Sequence, residues 1–219
     1  MGSDKMIVEI WSDVMCPFCY IGKHQFEKAL VQFHHPEEVE VVWRSFELNP
    51  EVKTDTNKSV IQYLSENKGI TVSEAKGMAD YATSMAQEIG LEYHFEKAVV
   101  ANSFQAHQFI HFAKEFGKQN EAEEALFKAY FTDGKNTDDR QVILQLATTI
   151  GLNTKKLEDA LATGEFAKDV KADELKAQKL GINGVPFFYF NESIQLSGAQ
   201  DSKEFLKALN KAYAIWKKE

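Results

Sequence analysis

Met6-Ile-Val-Glu-Ile-Trp11-Ser-Asp-Val-Met-Cys16-Pro-Phe-Cys19-Tyr-Ile-Gly-Lys23 decides the fold, because it sets the chain's only two cysteines at a junction between strand and helix. Met6 to Trp11 is apolar and β-prone, as a buried first strand would be. Ser12 to Met15 make a short connection. From Pro17 onward Phe18, Ile21, Phe26, Ala29, Leu30 and Phe33 recur at helical spacing. Pro17 suits the first helical turn, where a missing N–H costs nothing. Cys16 therefore sits at a helix N-terminus, where unpaired N–H groups and the macrodipole favour an anion. A thiolate is that anion, and it is the reactive form of cysteine.

The composition narrows the classes around this motif. A net charge of −8 argues against a general nucleic-acid or anionic-membrane binder. No apolar run approaches the ~20 residues of a membrane span. The N-terminus shows no basic region followed by an apolar stretch, so the expected setting is a reducing cytoplasm. Two cysteines in 219 residues make no disulfide scaffold, and a lone CxxC after a strand reads as a redox motif.

Residues 6 to 46 read strand, helix, strand, with Val39-Glu-Val-Val-Trp-Arg-Ser-Phe46 as the second strand. Such a pair joined by a helix is a parallel βαβ unit. From about 57 to 181 the pattern is almost wholly helical, and it offers no evident sheet. Thr71-Val-Ser-Glu74 is a capping box. After it Ala75, Met78, Ala79, Ala82, Met85, Ala86 and Ile89 form an apolar stripe that Gly90 ends. Strand character returns at Val185-Pro-Phe-Phe-Tyr-Phe190, and Ile194-Gln-Leu196 pairs back as a hairpin. Asp201 or Ser202 caps a last helix whose Phe205, Leu206, Leu209 and Ile215 face inward. The expected architecture is α/β: βαβ, helical insertion, ββα. One domain spans 1–219, with 6–50 and 182–219 forming the sheet part and 51–181 the insertion.

This order, with CPxC opening the first helix, resembles the DsbA branch of the thioredoxin superfamily. Trp11 to Lys23 looks very like the active-site segment of FrnE-like proteins. Phe46-Glu-Leu-Asn-Pro50, Asn102-Ser-Phe-Gln-Ala-His107, Gly184-Val-Pro186 and Ser197-Gly-Ala-Gln200 resemble further segments of that subgroup. The resemblance implies a thioredoxin-like fold and a thiol–disulfide oxidoreductase or isomerase. It also implies a cis Val185–Pro186 bond beside the cysteines, with Val185 backbone free to pair with an extended substrate. Asn102 and His107 would line the groove above Cys16. The same branch includes kappa-class glutathione transferases and 2-hydroxychromene-2-carboxylate isomerases. Those relatives use serine where this chain has Cys16, which moves the chain toward disulfide exchange. Some FrnE-like proteins carry a second cysteine pair, which is missing here.

Cys16 is then the attacking, partly exposed thiol and Cys19 the resolving one, with Pro186 the third catalytic-site residue. Trp11, Pro17, Phe18 and Tyr20 put apolar surface around the thiols, suited to apolar peptide segments or a small aromatic ligand, though core packing explains Trp11 equally well. Asp13 reads first as a turn or cap residue. His107 and His111 share a helix face, but Gln108 stands where a zincin needs glutamate, so the pair reads as packed histidines. No metal or cofactor is expected. The expected partners are disulfide- or thiol-containing proteins or small molecules, with neither nucleic acid nor membrane. The competing function is a glutathione-dependent transferase or isomerase of the kappa type, with glutathione as co-substrate, held by Val185 and the turn from Ser197 to Asp201. Phe18 offers no charge or donor to Cys16, which favours a reductase or isomerase over a strong oxidant.

Overall fold

The central strand β1 (Met6–Ser12) is flanked on both edges, which explains why its sequence is a nearly unbroken apolar run. It pairs in parallel with β2 (Val39–Ser45), in register from Met6 opposite Val39 to Ser12 opposite Ser45. On its other side β5 (Phe187–Phe190) runs antiparallel, and β6 (Ile194–Ser197) closes the hairpin at the sheet edge. The strand order is β2-β1-β5-β6. The computed structural model describes residues 5–218, so residues 1–4 and 219 of the expected domain lie outside the described residues.

The period of two along β1 splits its side chains between two helical layers. Met6, Val8 and Ile10 join the large core with α1 (Pro17–Gln32) and α9 (Ser202–Trp216). There Phe26 packs on Phe188, Phe190 and Phe205, with ring centroids 5.7, 6.1 and 5.8 Å away. Glu9 and Trp11 turn the other way, toward α8 (Ala167–Lys179). Lys176 of α8 meets the buried Glu9 at 2.6 Å, and Arg44 bridges Glu9 to Asp173. Nearly buried charges persist only when paired in this manner.

Between β2 and β5 lie α2 (Val60–Lys68), α3 (Val72–Gln87), α4 (Phe104–Lys114), α5 (Gln119–Phe127), α6 (Arg140–Thr149) and α7 (Thr154–Thr163). The capping box forms: Thr71 Oγ1 accepts from the Glu74 N–H, and Glu74 accepts from the Thr71 N–H. Helix α4 is buried from Ala106 through Ala113, as a helix apolar on most faces must be. A π-type turn, Lys128–Thr132, continues α5 and places Phe131 against Tyr93 at 4.6 Å. Tyr20 of α1 stacks on Phe127 at 5.0 Å, so an aromatic stack joins the sheet part to the insertion.

The insertion is not purely helical. β3 (Asp55–Ser59) and β4 (Val99–Val100) pair as a short antiparallel ribbon. Asp55-Thr-Asn-Lys-Ser59 has no apolar alternation, and its partner arrives forty residues later with only two residues, so no local pattern announces it.

Candidate active site

Cys16 is the N-cap residue of α1, with extended backbone angles, and Pro17 follows at the first helical position. No side chain caps this terminus, and its first turn holds no acidic residue. The turn is fixed by Cys16 N–H donating to Asp13 O at 2.9 Å and Cys19 N–H donating to Cys16 O at 3.0 Å. Tyr93 Oη donates to Pro17 O at 2.7 Å and ties the turn to the insertion. Both cysteines are free thiols. The Cys16 thiol donates to Val185 O at 3.5 Å, across the sheet from the far end of the chain.

The two thiols differ electrostatically. Burial pushes the Cys19 pKa well up, and the hydrogen bond to Cys16 and its charge push the same way. Cys19 is thus the thiol that keeps its proton. The Val185–Pro186 bond is cis. A Cβ on Gly22 would stand 3.0 Å from Pro186 Cγ, so only glycine lets α1 approach this loop so closely.

Above Cys16 opens a cavity of about 570 Å³. Its floor is the thiol turn with Met15, Pro17, Phe18 and Val185; its roof is α2 and α3, through Ile61, Leu64, Met78 and Tyr81. Phe18 meets Tyr81 with ring centroids 6.4 Å apart.

Several expected placements need correction. Cys16 is not partly exposed: only 4 % of its surface is accessible, because Val185 and the insertion close over it, and it opens only into the cavity. Trp11 is wholly buried against Ala177 and Ile182, and its Nε1 donates to Asp173 O, so it is core on the α8 side. Tyr20 does not line the cavity, and its hydroxyl donates to Glu124 Oε1 at 2.7 Å. Asn102 does not line the cavity. Its amide donates to Val52 O at 3.1 Å and its oxygen accepts from Phe104 N–H, so it braces the loop whose Val52 forms part of the wall. Its neighbour Ser103 does line it.

His107 also lies behind the cavity, 1 % exposed, with Nε2 3.7 Å from Asp13 Oδ1. Burial lowers its pKa, but the nearby Asp13 carboxylate, with Glu123 and Glu47, outweighs that and raises it. Asp13 accepts from Met15 N–H and, at 2.7 Å, from Leu48 N–H, clamping the thiol turn to the loop after β2. Glu123 is buried nearby, and burial drives its pKa to about 7. This Asp13–His107–Glu123 cluster has no signal in local sequence, because its members come from three elements. His111 turns elsewhere, to Ser45 Oγ and Asp173, so the two histidines share a helix but no ligand site.

A strand, a dithiol turn on a helix N-terminus and a cis-proline loop facing it, all under a helical roof, define a thioredoxin-fold thiol oxidoreductase of DsbA architecture. The chain belongs to the DSBA-like thioredoxin domain family, whose model matches residues 7–210. It is similar to a probable DsbA oxidoreductase from Streptomyces coelicolor, 36% identical, with 95% of this chain and 90% of that chain covered and a TM-score of 0.89. It is 29% identical to the uncharacterized protein YwbO of Bacillus subtilis, over 93% of this chain and 95% of that protein. The cytosolic disulfide reductase DsbM from Pseudomonas aeruginosa shares the fold at 14% identity, with a TM-score of 0.65 and 97% of each chain covered.

Proposed function

We propose that the chain is a thiol–disulfide oxidoreductase or isomerase of protein or small-molecule disulfides, with Cys16 as nucleophile, Cys19 as resolving thiol and the Val185–Pro186 loop as the substrate-facing edge. The observation that carries this reading is the asymmetry of the pair: Cys16 opens into the cavity from a helix N-terminus, while Cys19 sits behind it with its proton held. Cys16 thiolate attacks one sulfur of the substrate disulfide, forms a mixed disulfide and expels the other sulfur as thiolate. Cys19 passes its proton to that leaving thiolate and attacks Cys16 Sγ. The Cys16–Cys19 bridge forms, the second substrate thiol leaves, and two electrons have moved to the substrate. A dithiol or thiol reductant returns the pair. The likeness to a cytosolic reductase and the apolar Phe18 support a reducing role in the cytoplasm.

The enclosed apolar cavity also favours a second reading, a glutathione-dependent transferase or isomerase acting on an apolar substrate. A cysteine at position 16 with a partner at 19 weighs against it. Equilibrating the protein in glutathione buffers of graded ratio, with the bridge quantified by mass, tests the first reading. A reversible two-electron transition is expected in wild type and none in Cys16→Ser or Cys19→Ser. A pair that stays reduced at every ratio would overturn it.

A further inference from the structure

Leu48, Met78 and Tyr81 are among the few large apolar side chains left exposed in the described residues, and all three lie on the wall of the cavity beside Cys16. Isolated apolar residues on a surface need no explanation, but a cluster around a concavity marks binding. Apolar side chains dominate the lining, and three of its polar groups are engaged. Asn49 donates to Tyr63 Oη at 2.7 Å, and the Asp13 carboxylate is held by the Met15 and Leu48 N–H groups. Lys68, at the rim of α2, is the single cation of the lining among the described residues.

We infer that this cavity takes a small, aromatic, largely uncharged disulfide and presents it to Cys16, in preference to glutathione disulfide or a protein disulfide. The inference rests on the oxidoreductase reading above and narrows its substrate class. Three observations carry it. The volume, about 570 Å³, falls within the ~300–1,000 Å³ of small-molecule sites. Glutathione disulfide brings several carboxylates and ammonium groups, for which the wall offers one lysine and one aspartate already engaged. A polypeptide needs partners for its own N–H and C=O groups; the roof, helices α2 and α3, spends its backbone groups within the helices and leaves the short Val185 edge of the floor as the main-chain partner. Rings lying on Met78 and Tyr81 would bring an aryl disulfide over Phe18 to the Cys16 sulfur. Attack there expels an arylthiolate, a better leaving group than an alkylthiolate because its parent thiol is more acidic. Resolution by Cys19 frees the second arylthiol, and dithiothreitol restores the dithiol in the assay.

The test separates binding from turnover. Binding of diphenyl disulfide and of glutathione disulfide is measured on the Cys16→Ser, Cys19→Ser double variant. Turnover of both and of insulin, driven by dithiothreitol and corrected for the uncatalysed rates, is measured on wild type. Diphenyl disulfide should bind about tenfold or more tightly than glutathione disulfide. Adding Met78→Gln and Tyr81→Gln, both at exposed positions, should weaken that binding by about tenfold while leaving the denaturation midpoint of the double variant within a small shift. Equal binding, or a preference for glutathione disulfide or insulin, would overturn the pocket assignment. Turnover of all three disulfides without a binding preference overturns the pocket and leaves the oxidoreductase reading standing. Selective binding without turnover supports the pocket and overturns the oxidoreductase reading.

Discussion

Gly22 is one turn beyond Cys19 and sets how closely the proline loop can approach the thiols. A methyl group there would meet Pro186 Cγ at 3.0 Å with Phe188 just behind, so the loop must give way. Overpacking of a tight contact costs about 1–3 kcal/mol. Gly22→Ala should therefore lower stability by about that amount in denaturant titration and slow disulfide exchange by displacing Val185 O from Cys16; unchanged values for both would show that the loop is free to move. Phe18 acts on the thiols differently. It lines the cavity and supplies no donor to Cys16. Phe18→His should stabilise the thiolate and hence the reduced pair, raising the potential, where ~30 mV corresponds to ~1.4 kcal/mol for a two-electron couple. Equilibration of both proteins against glutathione measures this, and no upward shift would remove Phe18 from the account of the redox poise.

Helix α3 carries two tasks: its Ala75, Ala79, Ala82 and Ala86 are buried, while Met78 and Tyr81, with Ala79 and Ala82, line the cavity. Its start depends on the Thr71–Glu74 box. Thr71→Ala should cost about 1 kcal/mol in chemical denaturation, as loss of an N-cap does. A loss near zero would mean that packing alone holds the roof. The apolar stripe of α3, the βαβ unit and the final hairpin are legible in the sequence, because period, caps and turn residues are local properties. The direction of a side chain off an element is less so. Trp11 stands just before the thiol turn in sequence, yet which face it takes depends on α8, whose Asp173 and Ala177 lie more than a hundred and sixty residues away. Asn102 misleads for a related reason: it neighbours the cavity residue Ser103 while its own amide turns back to the loop at Pro50 and Val52. The ribbon β3–β4 is illegible because its strands are polar or too short.

Across the molecule, one continuous core runs from β1 and α1 through α4, α5 and α7, so the two parts should unfold together. The buried Glu123 makes that unfolding pH-dependent. Its folded pKa is about 7, above the ordinary carboxylate value, so the folded state holds a proton that the unfolded state releases. Stability from this group is full below about pH 4.5 and is lost as pH rises to 7, by about 3 kcal/mol at most. His107, with a raised pKa, also loses stability with rising pH, though only above its ordinary value. Glu123→Gln should flatten the lower part of that slope, and chemical denaturation at about pH 5 and about pH 8 reads the difference; an identical slope in the variant would mean that Glu123 is not buried in its acid form. The central claim, that Cys16 attacks and Cys19 resolves, is tested most directly by intact-protein mass spectrometry after mixing reduced variants with a disulfide substrate. Cys19→Ser should accumulate one substrate moiety in stable disulfide linkage to Cys16, whereas Cys16→Ser should accumulate little. Equal adducts on both variants, or a stable adduct only on Cys16→Ser, would contradict the assignment.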